Sequence, residues 1–354
     1  MQHKIAIAGF GGMGSWHQEL IERIENLTVA GVYDIQNARM ECAKSRGFHT
    51  YGDFEEMLAD SETEIVLVAT PNNLHKSMAI KAMQAGKHVI SEKPVTLNSG
   101  EFMEIMKVSR ETGMFFTVHQ NRRWDEDYLT IKKIYQDGLL GKVHRIESRV
   151  HGSRGIPGDW RQQPEFGGGM VLDWGVHLLD QVLELMGDTK LTHVYATLTN
   201  ITNQMVDDGF TAVLSFENGM EILAEVGTSN FISLPRWYMN GRDGTAVIED
   251  WENNGKIVRA VGKNEQDVVP VRTAAGITKT MAPRREDTIC VEALPIVKSD
   301  LKGFYKNVIS VIEGKEEPKI KLSEILRVMR LMEAIFESAR LKQVIKFEVS
   351  GREH

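Results

Sequence analysis

Residues 4–8 are a short apolar run, Lys4-Ile5-Ala6-Ile7-Ala8, that passes directly into Gly9-Phe10-Gly11-Gly12-Met13-Gly14. In G-x-G-x-x-G after a strand and before a helix, Gly9 makes the tight turn. Gly11 leaves the backbone bare for a pyrophosphate, and Gly14 lets the helix pack close to the strand. The following segment has Trp16, Leu20, Ile21 and Ile24 on one helical face and Glu19, Glu22 and Glu25 off it. Its N-terminus offers free N–H groups and positive potential to phosphate oxygens. A second strand, 28–33, ends in Asp34, 20 positions after Gly14. A carboxylate there accepts from a ribose 2′-hydroxyl and repels a 2′-phosphate, which favours NAD over NADP. Arg39 is close enough to keep dual use open. The hexapeptide alone could be a glycine-rich turn that binds nothing; strand, glycines, helix, strand and acid together point to a dinucleotide.

The alternation continues through residue 121. A helix about 54–59 precedes a strand at 65–69 that ends in Thr70-Pro71-Asn72-Asn73, and His75 opens the next helix. A strand then runs through Val89 and Ile90 into Glu92-Lys93-Pro94, and a helix about 99–112 leads to a strand at 115–119 followed by Gln120-Asn121. Strands separated by single helices imply an α/β, doubly wound parallel sheet of Rossmann type. Ligands bind outside the carboxyl ends of such strands. The candidate cofactor contacts are therefore Gly9, Phe10, Gly11, Gly12, Met13, Gly14, Asp34, Thr70, Pro71, Asn72, Asn73, Glu92, Lys93 and Asn121. His75 joins them as a capping or cofactor-packing residue.

The pattern changes after Asn121. Arg122-Arg123-Trp124-Asp125 leads into a helix about 126–137, and strands follow at 143–151, 191–200, 209–216, 220–230, 235–240 and 245–250. Asn218-Gly219 and Asp243-Gly244 are turn dipeptides. Short turns between strands predict an α+β domain with an open, mostly antiparallel sheet, suited to a flat ligand or to contact between copies. We expect two domains, 1–121 and 122–354, a long loop at 265–290 serving as lid or subunit contact, and late helices about 299–313 and 322–341. The last of these is placed to pack back on the first domain.

One helix in this half stands apart. Gly167-Gly168-Gly169 introduces a mostly apolar stretch, 170–186, interrupted by Asp173, His177, Asp180 and Glu184. Helical spacing puts Asp173 and His177 on one face, a turn apart. Asp180 and Glu184 read as a thin solvated edge. For Asp173 and His177 the alternatives are the same edge, a metal site lacking a recognisable third ligand, or a general base with an orienting carboxylate. We predict no metal.

Bulk properties exclude other classes. The chain has 354 residues, 42% hydrophobic and 26% charged, with a formal net charge of −7. That suits a globular protein of more than one core. No basic block is present, so a nucleic-acid partner is not expected. Cys42 and Cys290 form no CxxC pattern. No apolar stretch is long enough for a membrane, and the N-terminus enters a strand almost at once; a cytoplasmic location is the expectation.

These motifs together resemble the glucose–fructose oxidoreductase / inositol dehydrogenase / MocA family. The resemblance rests on Gly9-x-Gly11-x-x-Gly14, Thr70-Pro71-Asn72, Ala85-Gly86-Lys87-His88-Val89 running into Glu92-Lys93-Pro94, Asn121-Arg122-Arg123-Trp124-Asp125, and Gly167-Gly168-Gly169 followed by Asp173-x-x-x-His177. It covers essentially the whole chain. It implies a Rossmann domain followed by an open-sheet domain, assembly as a homodimer or homotetramer through that sheet, and sugar, glycoside or polyol substrates. It also implies catalysis by Lys93, Asp173 and His177. On this view His177 is the base, Asp173 supports it and Lys93 stabilises the alkoxide; the rival assignment makes Lys93 the base. Arg123, Trp124, Trp160 and Arg161 are candidate sugar contacts, alongside Lys93, Asp173 and His177. Three classes remain: an NAD-dependent sugar or polyol dehydrogenase, which we favour, a redox glycosidase, and a non-catalytic NAD-binding regulator.

Overall fold

The structure is a computed structural model that describes residues 2–261 and 269–347. The first 121 residues build a five-stranded parallel sheet from β1 (His3–Ala8), β2 (Leu27–Tyr33), β3 (Ile65–Val68), β4 (His88–Ser91) and β5 (Phe116–Val118), in the order β2-β1-β3-β4-β5. Helices α1 (Gly12–Ile21), α2 (Asn37–Ser45), α3 (Phe54–Ala59), α4 (His75–Gln84) and α5 (Ser99–Thr112) connect the strands. All four residues of β3, Ile65 to Val68, are fully buried, as a strand covered on both faces must be. Polar caps fix the helix starts: the Asp53 carboxylate accepts from Glu56 N–H and the Asn98 side chain from Glu101 N–H, each interaction contributing about 1 kcal/mol.

Register decides what the sheet presents. Tyr33, Ala8, Val68, Ser91 and Val118 pair across the five strands in one row. The next residue of each chain segment therefore emerges along one edge: Asp34, Gly9, Ala69, Glu92 and His119. The carboxyl edge thus carries the glycine turn, the acid after β2 and the Glu92-Lys93 dipeptide side by side.

The second sheet has nine strands: β6 (Val143–His151), β7 (Leu191–Thr199), β8 (Gly209–Phe216), β9 (Glu221–Gly227), β10 (Trp237–Gly241), β11 (Gly244–Ile248), β12 (Gly255–Ala260), β15 (Ile289–Glu292) and β16 (Ile345–Lys346). Its order is β15-β12-β11-β10-β6-β9-β8-β7-β16, and among the described residues only β6 and β9 pair in parallel. Side chains alternate as expected of a sheet with one covered face: Phe210, Ala212, Leu214 and Phe216 of β8 are buried, while the residues between Phe210 and Phe216 on the other face are partly exposed. The covering helices are α6 (Glu126–Gln136), α7 (Val176–Met186) and α9 (Leu322–Leu341). Trp237 on β10 is fully buried and donates its indole N–H to Asp127 of α6 at 2.9 Å.

The long loop expected at 265–290 is only partly a loop. Residues 265–268 lie outside the described residues; beyond them β13 (Val271–Thr273) and β14 (Gly276–Thr278) form a hairpin, and β15 joins the sheet. The late helix α9 packs on α7 and β7 and also on α5, where Glu333 accepts from Ser99 N–H at 2.6 Å and from its hydroxyl at 2.8 Å. Helix α8 (Lys302–Ile312) returns to the first domain and sets Tyr305 against His17 of α1. No helix of the described residues is long and apolar enough to cross a membrane.

Candidate active site

The glycine turn has the form its spacing requires. Gly9 has φ +96, and a Cβ there would strike the Ala69 carbonyl. A Cβ on Gly14 would collide with the Gly9 carbonyl oxygen. A Cβ on Gly12 would meet nothing within 4 Å, and one on Gly11 would meet first the Arg39 guanidinium, at 3.0 Å. The bare backbone therefore faces open space at the start of α1, a surface that fits a pyrophosphate. The buried face of α1 is rotated from the expectation. Gly14, His17, Gln18 and Ile21 are buried, whereas Trp16 is 37% exposed. Close packing at Gly14 sets that phase, and it overrides the apolar stripe.

Asp34 is nearly buried and both of its oxygens are engaged. Oδ2 accepts from Phe10 N–H at 2.8 Å and from Arg39 at 3.1 Å; Oδ1 accepts from Gln36 N–H at 2.8 Å. The Phe10 side chain packs into the core against Phe48, so only its backbone can face a ligand. Met13 is exposed. Asn72 donates to the Gly167 carbonyl at 3.0 Å and so ties the Thr70-Pro71-Asn72-Asn73 turn to the later glycine run. His75 is fully sealed; its nitrogens bridge the Pro94 and Thr70 carbonyls, each at 2.9 Å. His75 thus ties the Thr70 turn to the backbone at Pro94.

At the carboxyl end of β4 Lys93 reaches out to Asp173. Its Nζ donates to the Asp173 carbonyl at 2.8 Å and to Oδ1 at 3.1 Å. Arg161 donates to Oδ2 at 3.2 Å. Burial pushes the Asp173 carboxyl up, but the Lys93 and Arg161 charges pull it below its usual range. Arg161 is delivered by its own loop, because Gly169 N–H donates to the Arg161 carbonyl at 3.0 Å and folds residues 161–169 back on themselves. Its guanidinium also covers the Trp160 ring at 4.6 Å.

The expected Asp173–His177 pair is not formed. Residues Val171–Gly175 make a π-turn, and α7 begins only at Val176. The wider turn breaks the i, i+4 alignment that a continuous α-helix would give. Asp173 turns to Lys93 and Arg161, while His177 is 4% exposed and its Nδ1 has no partner among the described residues. Burial, then the nearby Lys93 and Arg122 charges, hold His177 well below 6.5. Its ring is therefore neutral near neutral pH.

Three further corrections concern charge. Arg123, expected as a sugar contact, is engaged by acids instead: its Nε and Nη2 bond both Asp180 oxygens at 2.8 and 2.7 Å, and Nη1 reaches Glu324 at 2.7 Å. Asp180 is therefore a buried ion-pair partner rather than a solvated edge. Glu184 pairs with Lys132 and Tyr128. Trp124 packs edge-on against Phe304, with ring centres 5.9 Å apart, and lines a cavity of about 470 Å³ with Met13, Trp16, Asn121 and Arg122.

Several residues were missed. The Arg122 guanidinium lies 4.2 Å from the Trp174 ring and 5.3 Å from Trp251, and Trp174 stands 5.9 Å from His177. Trp251 arrives on the turn after β11 and has no local signal. Under Lys93, Glu92 Oε1 accepts from His17 Nε2 at 2.7 Å and His119 Nδ1 at 2.8 Å, and all three residues are buried. Two histidines and a carboxylate are metal-ligand types, and their ligand atoms lie within 4.8 Å of one another; here they hydrogen-bond each other directly. His17 was detectable in principle, since it follows Gly14 by three positions on the strand-facing side of α1.

The comparisons agree with this architecture. Residues 3–120 match the family described as "Oxidoreductase family, NAD-binding Rossmann fold", and residues 128–247 match the "GFO/IDH/MocA C-terminal domain". The chain is similar to a scyllo-inositol 2-dehydrogenase (NADP(+)) of Bacillus subtilis, 29% identical over 98% of this chain and 96% of that protein. It is also similar to an inositol 2-dehydrogenase of Rhodococcus jostii, 32% identical over 63% of this chain and 61% of that one. Among solved structures, an NAD-binding protein from Listeria innocua superposes with a TM-score of 0.95 at 44% identity, covering 98% and 99% of the two chains.

Proposed function

Because the chain belongs to the GFO/IDH/MocA oxidoreductase family, we propose that it is an NAD(P)-dependent dehydrogenase oxidising a secondary alcohol of a polyol or sugar, with inositol-like rings the first candidates. The observation that carries this reading is the convergence of Lys93, anchored by Asp173, and a neutral His177 at the carboxyl edge of the dinucleotide-binding sheet. The inositol dehydrogenases among the relatives support the substrate class.

Oxidation removes a proton from oxygen and a hydride from carbon. The nicotinamide supplies the hydride acceptor. His177 takes the hydroxyl proton on Nε2, the nitrogen not sealed in the interior; such a base is worth about 10²–10⁴-fold in rate. Lys93 has three N–H groups, and Asp173 engages two of them. The third donates to the reacting oxygen and stabilises its developing negative charge. Asp173 aims Lys93 and Arg161 together, so it acts on the substrate through them. Trp160 and Trp174 offer faces for a sugar ring.

For the cofactor, we propose use of both dinucleotides rather than NAD alone. Asp34 is already paired with Arg39, whose side chain is 44% exposed beside Gly11. That leaves a guanidinium available to a 2′-phosphate, in line with the NADP(+) named for the Bacillus subtilis relative. The partly exposed face of the nine-stranded sheet is the surface through which we expect copies to pair, and light scattering in solution tests this. Formation of reduced nicotinamide with inositols, sugars and glycosides, compared between wild type and His177→Ala, tests the reaction; undiminished turnover in the variant would remove His177 from the chemistry.

A further inference from the structure

Glu92 is a buried carboxylate held by two imidazoles and, among the described residues, by no lysine or arginine side chain. Its Oε1 accepts from His17 and His119 and its Oε2 from Lys93 N–H at 3.1 Å. Tyr305 donates its hydroxyl to His17 Nδ1, which leaves His17 a single N–H, the one given to Glu92. His119 meets Glu92 through Nδ1, and its Nε2 is buried with no partner among the described residues. The Lys93 ammonium is turned away to Asp173, and among the described residues no lysine or arginine side chain pairs with Glu92. The carboxyl stays ionised: burial raises it, but His119 and His17 hold it well below 4.5. Buried charges are normally paired with a charge of opposite sign, and the imidazoles of His17 and His119 are the side chains that meet this one.

The place of this charge suggests its partner. Along the carboxyl edge, Asp34 marks the adenosine side and the glycine turn the pyrophosphate, so the nicotinamide half lies over the ends of β4 and β5. Glu92 and His119 stand at those two ends. The oxidised nicotinamide ring carries a positive charge that the reduced ring lacks. We propose that the Glu92 carboxylate is the countercharge by which this site holds the oxidised cofactor in preference to the reduced one. This rests on the cofactor reading above. Glu92 is thereby a positioning and charge-selecting group, which neither accepts the substrate proton nor touches the reacting carbon.

Calorimetric titration of the intact protein with oxidised and with reduced dinucleotide separates the two ideas. Glu92→Gln should weaken the oxidised form about tenfold, the scale of one unit charge acting across several ångströms of protein, and leave the reduced form within about twofold. Glu92→Asp, which keeps the charge, should keep the wild-type ratio. Tyr305→Phe removes a hydrogen bond from the network but no charge, and should also keep it. Equal weakening of both forms in Glu92→Gln, or no change in either, overturns the charge role while leaving the cofactor reading intact. A wild type that binds neither form overturns both. Should Glu92→Gln not fold, the wild type decides: binding the reduced form more than about tenfold more tightly than the oxidised contradicts the proposal.

Discussion

Replacing Arg123 by alanine separates a structural brace from a substrate contact. Its guanidinium bonds both oxygens of Asp180 and one of Glu324, at 2.7–2.8 Å. The Arg123 and Asp180 side chains are only 9% and 3% exposed, so removal leaves a carboxylate buried without its cation. Breaking a buried pair from one side costs about 3–5 kcal/mol. Glu324 is 37% exposed and contributes little beyond that. For the open-sheet domain such a loss lowers the melting temperature by about 10 °C. Urea and thermal unfolding measure it directly. Arg123→Met combined with Asp180→Leu removes both charges and should recover most of the stability, because a well-packed apolar pair is often as stable as the ions. The folded fraction of Arg123→Ala should retain the wild-type KM for its alcohol substrate. Unchanged unfolding together with a raised KM would refute the brace and restore Arg123 to the substrate site.

Other consequences are independent of this one. Since burial, Lys93 and Arg122 hold His177 well below 6.5, the acid limb of kcat/KM should lie below 6.5, and Arg122→Met should move it upward; a limb that stays put or falls contradicts the assignment. Burial lowers His17 from 6.5 to about 4, so the unfolded chain binds more protons over that interval. A contribution of about 3 kcal/mol should be fully present above 6.5 and lost as the pH falls to about 4; His17→Gln should flatten urea midpoints across that range, and an unaltered slope would count against it. Arg39→Ala should raise KM for NADP by about tenfold or more through loss of a charge-assisted bond and leave NAD within about twofold; equal effects on both would place Arg39 outside the 2′-phosphate site.

Much of this was legible in the sequence where local spacing and long-range packing agree. The glycines at 9, 11 and 14 and the acid at 34 act within one βαβ unit, and the register row from Tyr33 to Val118 then follows from parallel pairing. Lys93 could be placed at a strand end because Pro94 stops the ladder. Legibility ended where side-chain identity depends on distant partners. Arg123 looks like a sugar donor until Asp180 and Glu324 arrive from α7 and the start of α9. The Asp173–His177 spacing misled because a π-turn, pinned by Asp207 accepting from Val171 N–H at 2.8 Å, interrupts the helix. Trp251 and Tyr305 join the region around the carboxyl edge from elements far along the chain.

The most direct test is the appearance of reduced nicotinamide when wild type, Lys93→Ala and His177→Ala meet a panel of inositols, free sugars and glycosides with NAD and with NADP. The account predicts turnover of at least one polyol or sugar by wild type and a loss of about 10²–10⁴-fold in His177→Ala, with a comparable fall in Lys93→Ala. Tight dinucleotide binding with no reduction across the panel, or variants that turn over at the wild-type rate, would contradict it.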